Sequence, residues 1–329
     1  MLDWLRLLRA SGLATVAANL LAVTLIAFYA GGGLDPAWLA ARLWREGWTA
    51  WCVPLASVLL FSAGMLWNDL CDLERDRALN PARPLPAGRI GLVPAYVAGI
   101  VLAIAAPLVV AQVPYGLHLA GMVLMLALVY NLGAKTVPWL GSLVMALVRV
   151  AFAVFALLWL GPDYVRMALT PWLNPPGTPA FVYPLVLGLY VFGLTLVSEL
   201  ESRPGTRFAF LVGSGCMFAA VVLGVVGLFS APWLPGLLHS GGLRSVAAIA
   251  ALALALGVAG GLCWSLFRPC LNALRHARRN QVGPVVVAAL GGMILLDALL
   301  AAAAHPLAPL LILPLYPIFR GMGRVIRMD

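Results

Sequence analysis

An all-α, polytopic membrane bundle of about nine transmembrane helices is the fold class that three observations predict. Of the 329 residues 63% are hydrophobic, and only 10% are charged, against roughly 25% in a soluble domain. About nine apolar runs reach or approach the ~20 residues that one helical crossing needs. A water-soluble fold is excluded. What lies between the runs is too short for a second domain, so residues 1–329 read as a single transmembrane domain.

Taken in order, the runs predict helices over 12–32, 48–70, 91–112, 115–131, 138–160, 180–202, 208–229, 244–267 and 283–302. Arg6 and Arg9 precede the first run as they would in a signal peptide, but its length and the runs that follow favour an uncleaved first helix. A tenth apolar stretch, 306–319, is short and holds Pro306, Pro309, Pro314 and Pro317, which suits an interfacial or re-entrant segment.

With the N-terminus in the cytoplasm, cytoplasmic segments carry Arg6, Arg9, Arg75, Arg77, Arg83, Arg89, Lys135, Arg203, Arg207, Arg268, Arg275, Arg278 and Arg279. The opposite loops carry only Arg42, Arg45, Arg166 and Arg244. This bias favours that orientation, in an inner or plasma membrane, and puts the ends of the second and sixth helices on the cytoplasmic side. Arg320, Arg324 and Arg327 fall on the wrong side after nine crossings, so the tenth stretch either re-crosses or lies flat. The net charge of +9 reports topology and contact with anionic membrane lipid, not nucleic acid. Five scattered cysteines and four histidines show no metal-ligand spacing.

The chemistry concentrates in residues 67–90, WNDLCDLERDRALNPARPLPAGRI, where an apolar helix abruptly gains acids. Asn68, Asp72 and Asp76 recur at i, i+4, i+8, and Asp69 lies seven residues before Asp76, so all four can face one side of a helix while Glu74 points away. Gathered carboxylates repel unless a cation sits among them, and hard oxygen ligands suit Mg²⁺, which completes its shell with water and phosphate oxygens. The plainer reading is a solvated helix end paired with Arg75 and Arg77. It leaves unexplained the Pro81, Pro84 and Pro86 loop that stiffly offers Arg83 and Arg89 beside the acids. Acids for a metal plus offered guanidinium groups make a diphosphate site.

The segment NDLCDLERDRALNPARPLPAGR resembles the first motif of the UbiA-type intramembrane prenyltransferases, N-D-x-x-D-x-x-x-D followed by a Pro/Arg-rich loop. The resemblance implies nine helices around a central cavity. It also implies that Asn68, Asp72 and Asp76 hold Mg²⁺ and diphosphate, with Asp69 nearby and Arg77 or Arg83 on phosphate.

The family's second Asp-rich motif falls at the end of the sixth helix, where this chain reads TLVSELESRPGTRF and has no aspartate. Glu199 and Glu201 sit about 200° apart on a helix, so only one faces a cavity. Thr195, Ser198 and Glu201 form a modest polar stripe, which favours Glu201 as the metal-side acid and leaves Glu199 to pair with Arg203 at i+4. Ser-x-x-Glu in this place resembles the divergent, EboC-like branch of the superfamily, with a second metal held weakly or replaced by Arg203 and Arg207.

Polar groups inside the apolar runs complete the candidates. Arg149 lies mid-helix, where an ionised group is a functional candidate by default; it can reach diphosphate, or pair with an acid of the first cluster. Lys135 and Tyr130 flank the turn between the fourth and fifth helices and serve either the site or the interface. Asn19 interrupts the first helix, as packing glue or cavity lining. The expected activity is transfer from a prenyl diphosphate to a lipophilic or aromatic acceptor. A transporter would more often show paired broken helices at the midplane. A non-catalytic lipid-binding scaffold would account for the thinned second motif.

Overall fold

The computed structural model describes residues 1–30, 41, 47–173, 178–202, 207–235, 242–276 and 282–325; these form helices and turns and no strand. A short helix α1 (Leu2–Leu7) leads through a 3-10 turn at Ala10–Gly12 into α2 (Leu13–Ala30). Then follow α3 (Thr49–Cys71), α4 (Leu73–Leu79), α5 (Leu92–Val109), α6 (Gly116–Leu132), α7 (Leu140–Ala156) and α8 (Pro162–Leu169). The remainder is α9 (Thr178–Ser202), α10 (Arg207–Phe229), α11 (Gly242–His276), α12 (Val282–Ala304), α13 (Ala308–Ile312) and α14 (Leu315–Val325).

Eight of these helical regions are long and apolar enough to cross a membrane, and α6 is a shorter apolar ninth. The protein is an integral, multi-pass membrane bundle. Hydropathy placed the nine helices to within a few residues, except that α11 continues to His276, past Pro269. Proline is tolerated inside transmembrane helices because neighbouring groups re-satisfy the freed carbonyl.

The apolar windows of α2 and α9 are each 72% buried, against 17% in α5, so the first two form the centre and α5 faces lipid. Around them α3 packs on α5 and α6, α6 on α7, α7 on α9, α9 on α10 and α12, and α12 on α2 and α11. A satellite core of Leu7, Leu66, Leu70, Leu73, Leu85, Ile90 and Ala95 clamps the loop after α4 between α1 and the end of α3. Arg89 fastens the same loop to Asp3 at 3.0 Å.

The tenth apolar stretch resolves the mismatch in the tail. It neither lies flat nor forms one helix: α13 packs on α12 and α2, and α14 runs on along α2 as far as the turn at Ala10–Gly12. Tyr316 and Phe319 close on Gly291 halfway down α12, where a Cβ would approach both rings to 3.2 Å. Two short helices separated at Leu313 and Pro314 thus run back along α12 and α2 toward the end of the bundle that holds Arg9.

Candidate functional site

At the end of α3 the helical register passes through the acids. The amide of Asp72 donates to the Asn68 carbonyl (3.0 Å), that of Asp76 to Asp72 (2.8 Å) and that of Asn80 to Asp76 (2.8 Å). The backbone bends at Asp72 (φ −93°, ψ 5°), which separates α3 from α4 without losing the four-residue repeat. Asn68, Asp72 and Asp76 therefore share a side, as their spacing predicts.

Each acid already has a cation, and each cation comes from a different segment. Arg9 Nη2 meets the buried Asp69 at 3.0 Å, Lys135 Nζ meets Asp72 at 2.7 Å and Arg83 Nη1 meets Asp76 at 2.6 Å. Asn80 adds a 3.2 Å hydrogen bond to the other oxygen of Asp76. The three carboxylate side chains are only 9%, 15% and 5% exposed, so these pairs are not the weak, fully hydrated contacts of a surface. Glu74 and Arg77 pair at 2.6 Å and are both exposed.

Local backbone features deliver the cations. Arg9 adopts left-handed φ 48° at the break before Ala10–Gly12, a strained conformation that persists only where the surroundings enforce it. Lys135 sits in the 3-10 turn Ala134–Thr136. A Cβ on Gly141 would lie 2.9 Å from the Lys135 backbone and 3.1 Å from Glu199 Oε1, so glycine permits this turn to close on α7 and α9. Arg83 rides on the clamped loop after α4.

The second polar stretch, at the end of α9, stands at the same end of the bundle. Glu199 accepts a 2.8 Å hydrogen bond from Ser142 on α7 and lies in the electrostatic field of Tyr130, as does Asp72. The neighbour given to Glu199 in the sequence reading, Arg203, lies outside the described residues. Glu201 is exposed and within electrostatic reach of Arg83. Its carboxylate sits where a side chain on Gly283, at the start of α12, would collide at 2.9 Å. Ser198 turns back to donate to the Thr195 carbonyl at 2.9 Å, and Arg207 is exposed at the first turn of α10.

Beneath the acids a cavity of about 170 Å³ opens between α3, α6 and α7. Arg9, Asn68, Tyr130, Asn131 and Arg149 supply its polar lining, and residues such as Phe61, Met65, Met145 and Phe152 the rest. Asn68 belongs to both the acidic stripe and the cavity wall. A second hollow of about 270 Å³, beside Thr49, Gln112, Trp159 and Pro162, lies at the opposite end of α3 and α7.

Among the described residues no group of three or more His, Cys, Asp or Glu side chains is placed to hold a metal ion unaided. The donors present nonetheless fit Mg²⁺ delivered with a diphosphate: an amide oxygen and two carboxylates are hard ligands, and Mg²⁺ usually takes one or two carboxylates and fills its shell with phosphate and water.

Sequence reasoning missed a buried polar chain. Asn19 lines neither cavity; its Nδ2 donates to Tyr183 Oη (2.8 Å), and Tyr183 donates to Asp297 Oδ1 (2.8 Å). All three are at most 2% exposed. Arg149 lies in the field of Asp297 and Tyr183, not of the first acidic cluster. The signal for Asp297 was there, since a lone acid within α12 falls under the same rule that singled out Arg149. Ser142, the partner of Glu199, carried no such signal.

Comparison with known proteins agrees with this architecture. No curated protein matches the chain. Two solved structures resemble it. One concerns digeranylgeranylglyceryl phosphate synthase in membranes, with 17% identity over 92% of this chain and 97% of the other and a TM-score of 0.53. The second is a UbiA homologue from Aeropyrum pernix K1, with 19% identity over 85% and 96% and a TM-score of 0.49. At these identities the first shows a shared fold. Residues 20–266, a stretch that holds the acidic stripe, the cavity lining apart from Arg9 and both glutamates, match the UbiA prenyltransferase family, and the chain belongs to that family.

Proposed function

We propose that the protein transfers a prenyl group from an allylic prenyl diphosphate to a lipophilic or aromatic acceptor within the membrane, with Mg²⁺ as cofactor. UbiA prenyltransferases generally use divalent metal ions. One observation carries the reading: the Asn68, Asp72, Asp76 stripe, with Lys135 and Arg83 drawn onto it, crowns a largely apolar cavity that Asn68 also lines.

In the protein without ligand, acids and cations neutralise one another in pairs. A diphosphate entering between them lets Lys135 and Arg83 turn from carboxylate to phosphate oxygens, while Asn68, Asp72 and Asp76 keep their oxygens for the metal. Mg²⁺ held there would neutralise charge on the pyrophosphate as it departs. Arg83, chosen over the exposed Arg77, and Lys135 aim preorganised donors at that same charge. The C–O bond breaks with its electron pair leaving on pyrophosphate; the allylic carbon bonds to the acceptor, which gives up a proton. Phe61 and Phe152 wall the space below and exclude water from the cation. Tyr130, in the field of Asp72 and Glu199, and Glu201, in reach of Arg83, complete the proposed rim, with Ser198 and Arg203 beside them on the chain.

The excess of Arg and Lys at this end supports a cytoplasm-facing site. The aspartate-free second motif supports the EboC-like branch. It also favours a second reading, a non-catalytic lipid-binding scaffold, because Glu199 is engaged by Ser142 and Glu201 is exposed.

Pyrophosphate release from farnesyl or geranylgeranyl diphosphate by the detergent-purified protein separates the two. Release that needs both Mg²⁺ and an acceptor, and that is lost in Asp72→Asn and Glu201→Gln with folding intact, is the expected result. Unchanged release in both variants defeats the site, and none from the wild type favours the scaffold.

A further inference from the structure

The geometry points to a second oxyanion subsite, in which Arg149 receives a carboxylate or phosphate of the acceptor and Asp297 is the positioning residue that holds Arg149 there. The word acceptor rests on the prenyl-transfer reading above; the subsite itself does not.

Arg149 is half-buried and lines the cavity. Among the described residues its guanidinium makes no hydrogen bond or ion pair, and the contact it does make is with the Phe61 ring, 6.0 Å from the centroid. It lies seven residues along α7 from Ser142, and Phe61 lies seven residues along α3 from Asn68. At 1.5 Å per residue each offset is about 10 Å. Arg149 is thus well below the level at which Asn68, Asp72 and Asp76 would take a diphosphate.

A cation at this depth is costly without a counter-charge, and Asp297 on α12 supplies it by field alone, with no direct ion pair. The Asp297 carboxylate, 1% exposed, is oriented by the Tyr183 hydroxyl, which the Asn19 amide orients in turn. The chain draws on α2, α9 and α12, of which α2 and α9 pack on α7 and α12 packs on both of them. The charge of Arg149 is therefore balanced without a direct partner, which leaves its donors available to a ligand in the cavity. A guanidinium offers a fork that fits carboxylate or phosphate bidentately. It also repels an allylic cation, so the donor's reacting carbon is kept away from it and the subsite is left to the other substrate.

Binding of benzoate, phenyl phosphate and Mg²⁺-pyrophosphate to the detergent-purified full chain, measured by calorimetry, tests this. The wild type is expected to bind an aromatic oxyanion, with affinity reduced at least tenfold in Arg149→Gln, partly retained in Arg149→Lys, and reduced in Asp297→Asn, while Mg²⁺-pyrophosphate affinity is unchanged in all three. A purely structural Asp297 would alter the melting midpoint of Asp297→Asn and leave benzoate affinity alone, which overturns the positioning role. Should Asp297→Asn not fold, the double variant Arg149→Gln/Asp297→Asn, which removes both charges, is expected to fold and not to bind benzoate; wild-type binding in it overturns the subsite. Loss of Mg²⁺-pyrophosphate in Arg149→Gln assigns the anion to the donor and overturns the acceptor assignment. A wild type that binds neither aromatic oxyanion overturns the proposal outright. Arg149-dependent benzoate binding in a protein that ignores Mg²⁺-pyrophosphate keeps the subsite and refutes the transfer reading instead.

Discussion

Asp72 Oδ1 and Lys135 Nζ meet at 2.7 Å, joining the bend after α3 to the turn between α6 and α7 with side chains only 15% and 12% exposed. Removing one partner of a pair so enclosed strands the other charge, at a cost of about 3 kcal/mol. Lys135→Met is expected to lower the melting midpoint more than the double variant Lys135→Met/Asp72→Asn does, and both are expected to abolish pyrophosphate release. Equal midpoints for the single and double variants would show that the pair contributes no coupling.

Arg83 and Arg77 are only six residues apart, yet the structure separates them. Arg83→Ala leaves the Asp76 carboxylate, 5% exposed, without its cation, and is expected to destabilise by roughly 1–3 kcal/mol while raising the prenyl diphosphate concentration needed for half-maximal turnover. Arg77→Ala removes an exposed pair with Glu74 and is expected to shift stability by no more than about 0.5 kcal/mol. Denaturation followed by tryptophan fluorescence, together with steady-state kinetics, checks both.

The two glutamates of α9 are expected to respond differently. Glu199→Gln weakens the hydrogen bond from Ser142 and is expected to cost about 1 kcal/mol. Glu201→Gln, at an exposed position in reach of Arg83, is expected to leave the midpoint in place and abolish Mg²⁺-dependent pyrophosphate release. A Mg²⁺ titration of each variant reads this directly.

His305, between α12 and α13, stacks on Tyr29 with ring centroids 4.2 Å apart and accepts a hydrogen bond from the Leu307 amide on Nδ1. Burial lowers its pKa from the ordinary value, so the folded protein favours the neutral ring and the unfolded chain takes up the proton first as pH falls. The stability from this site is complete above the ordinary value of ~6.5 and is lost as pH drops through it toward the folded-state value. His305→Phe, which keeps the stack, is expected to show a smaller fall in melting midpoint between pH 7.5 and 5.5 than the wild type; an identical fall removes His305 as a contributor.

How legible each part was follows from how local its signal is. The nine helices were readable because hydropathy is a property of consecutive residues, and Asn68, Asp72 and Asp76 because a four-residue repeat is too. The cations were legible only in part: the Pro-rich loop offered Arg83 beside the acids, but Arg9 and Lys135 reach Asp69 and Asp72 from separate turns, one of them through a left-handed residue. A stripe on one helix cannot announce the cations that other helices bring to it. Choosing between Glu199 and Glu201 from one helix's own polar residues missed Ser142, which belongs to α7. Asp297 was passed over because nothing beside it in sequence is polar; its partners Tyr183 and Asn19 are 114 and 278 residues away along the chain.

The pair of short helices α13 and α14 bears on how the chain sits in a bilayer. At five and eleven residues, neither piece has the ~20 apolar residues that spanning alone requires, so the pair gains its depth only against α2 and α12. The last two helices thus tie the first helix to α12. Because α14 reaches the turn at Ala10–Gly12, probes placed at residues 1 and 325 should be modified from the same side of sealed vesicles, and cutting the chain after His305 should leave that turn, and with it Arg9, without a brace.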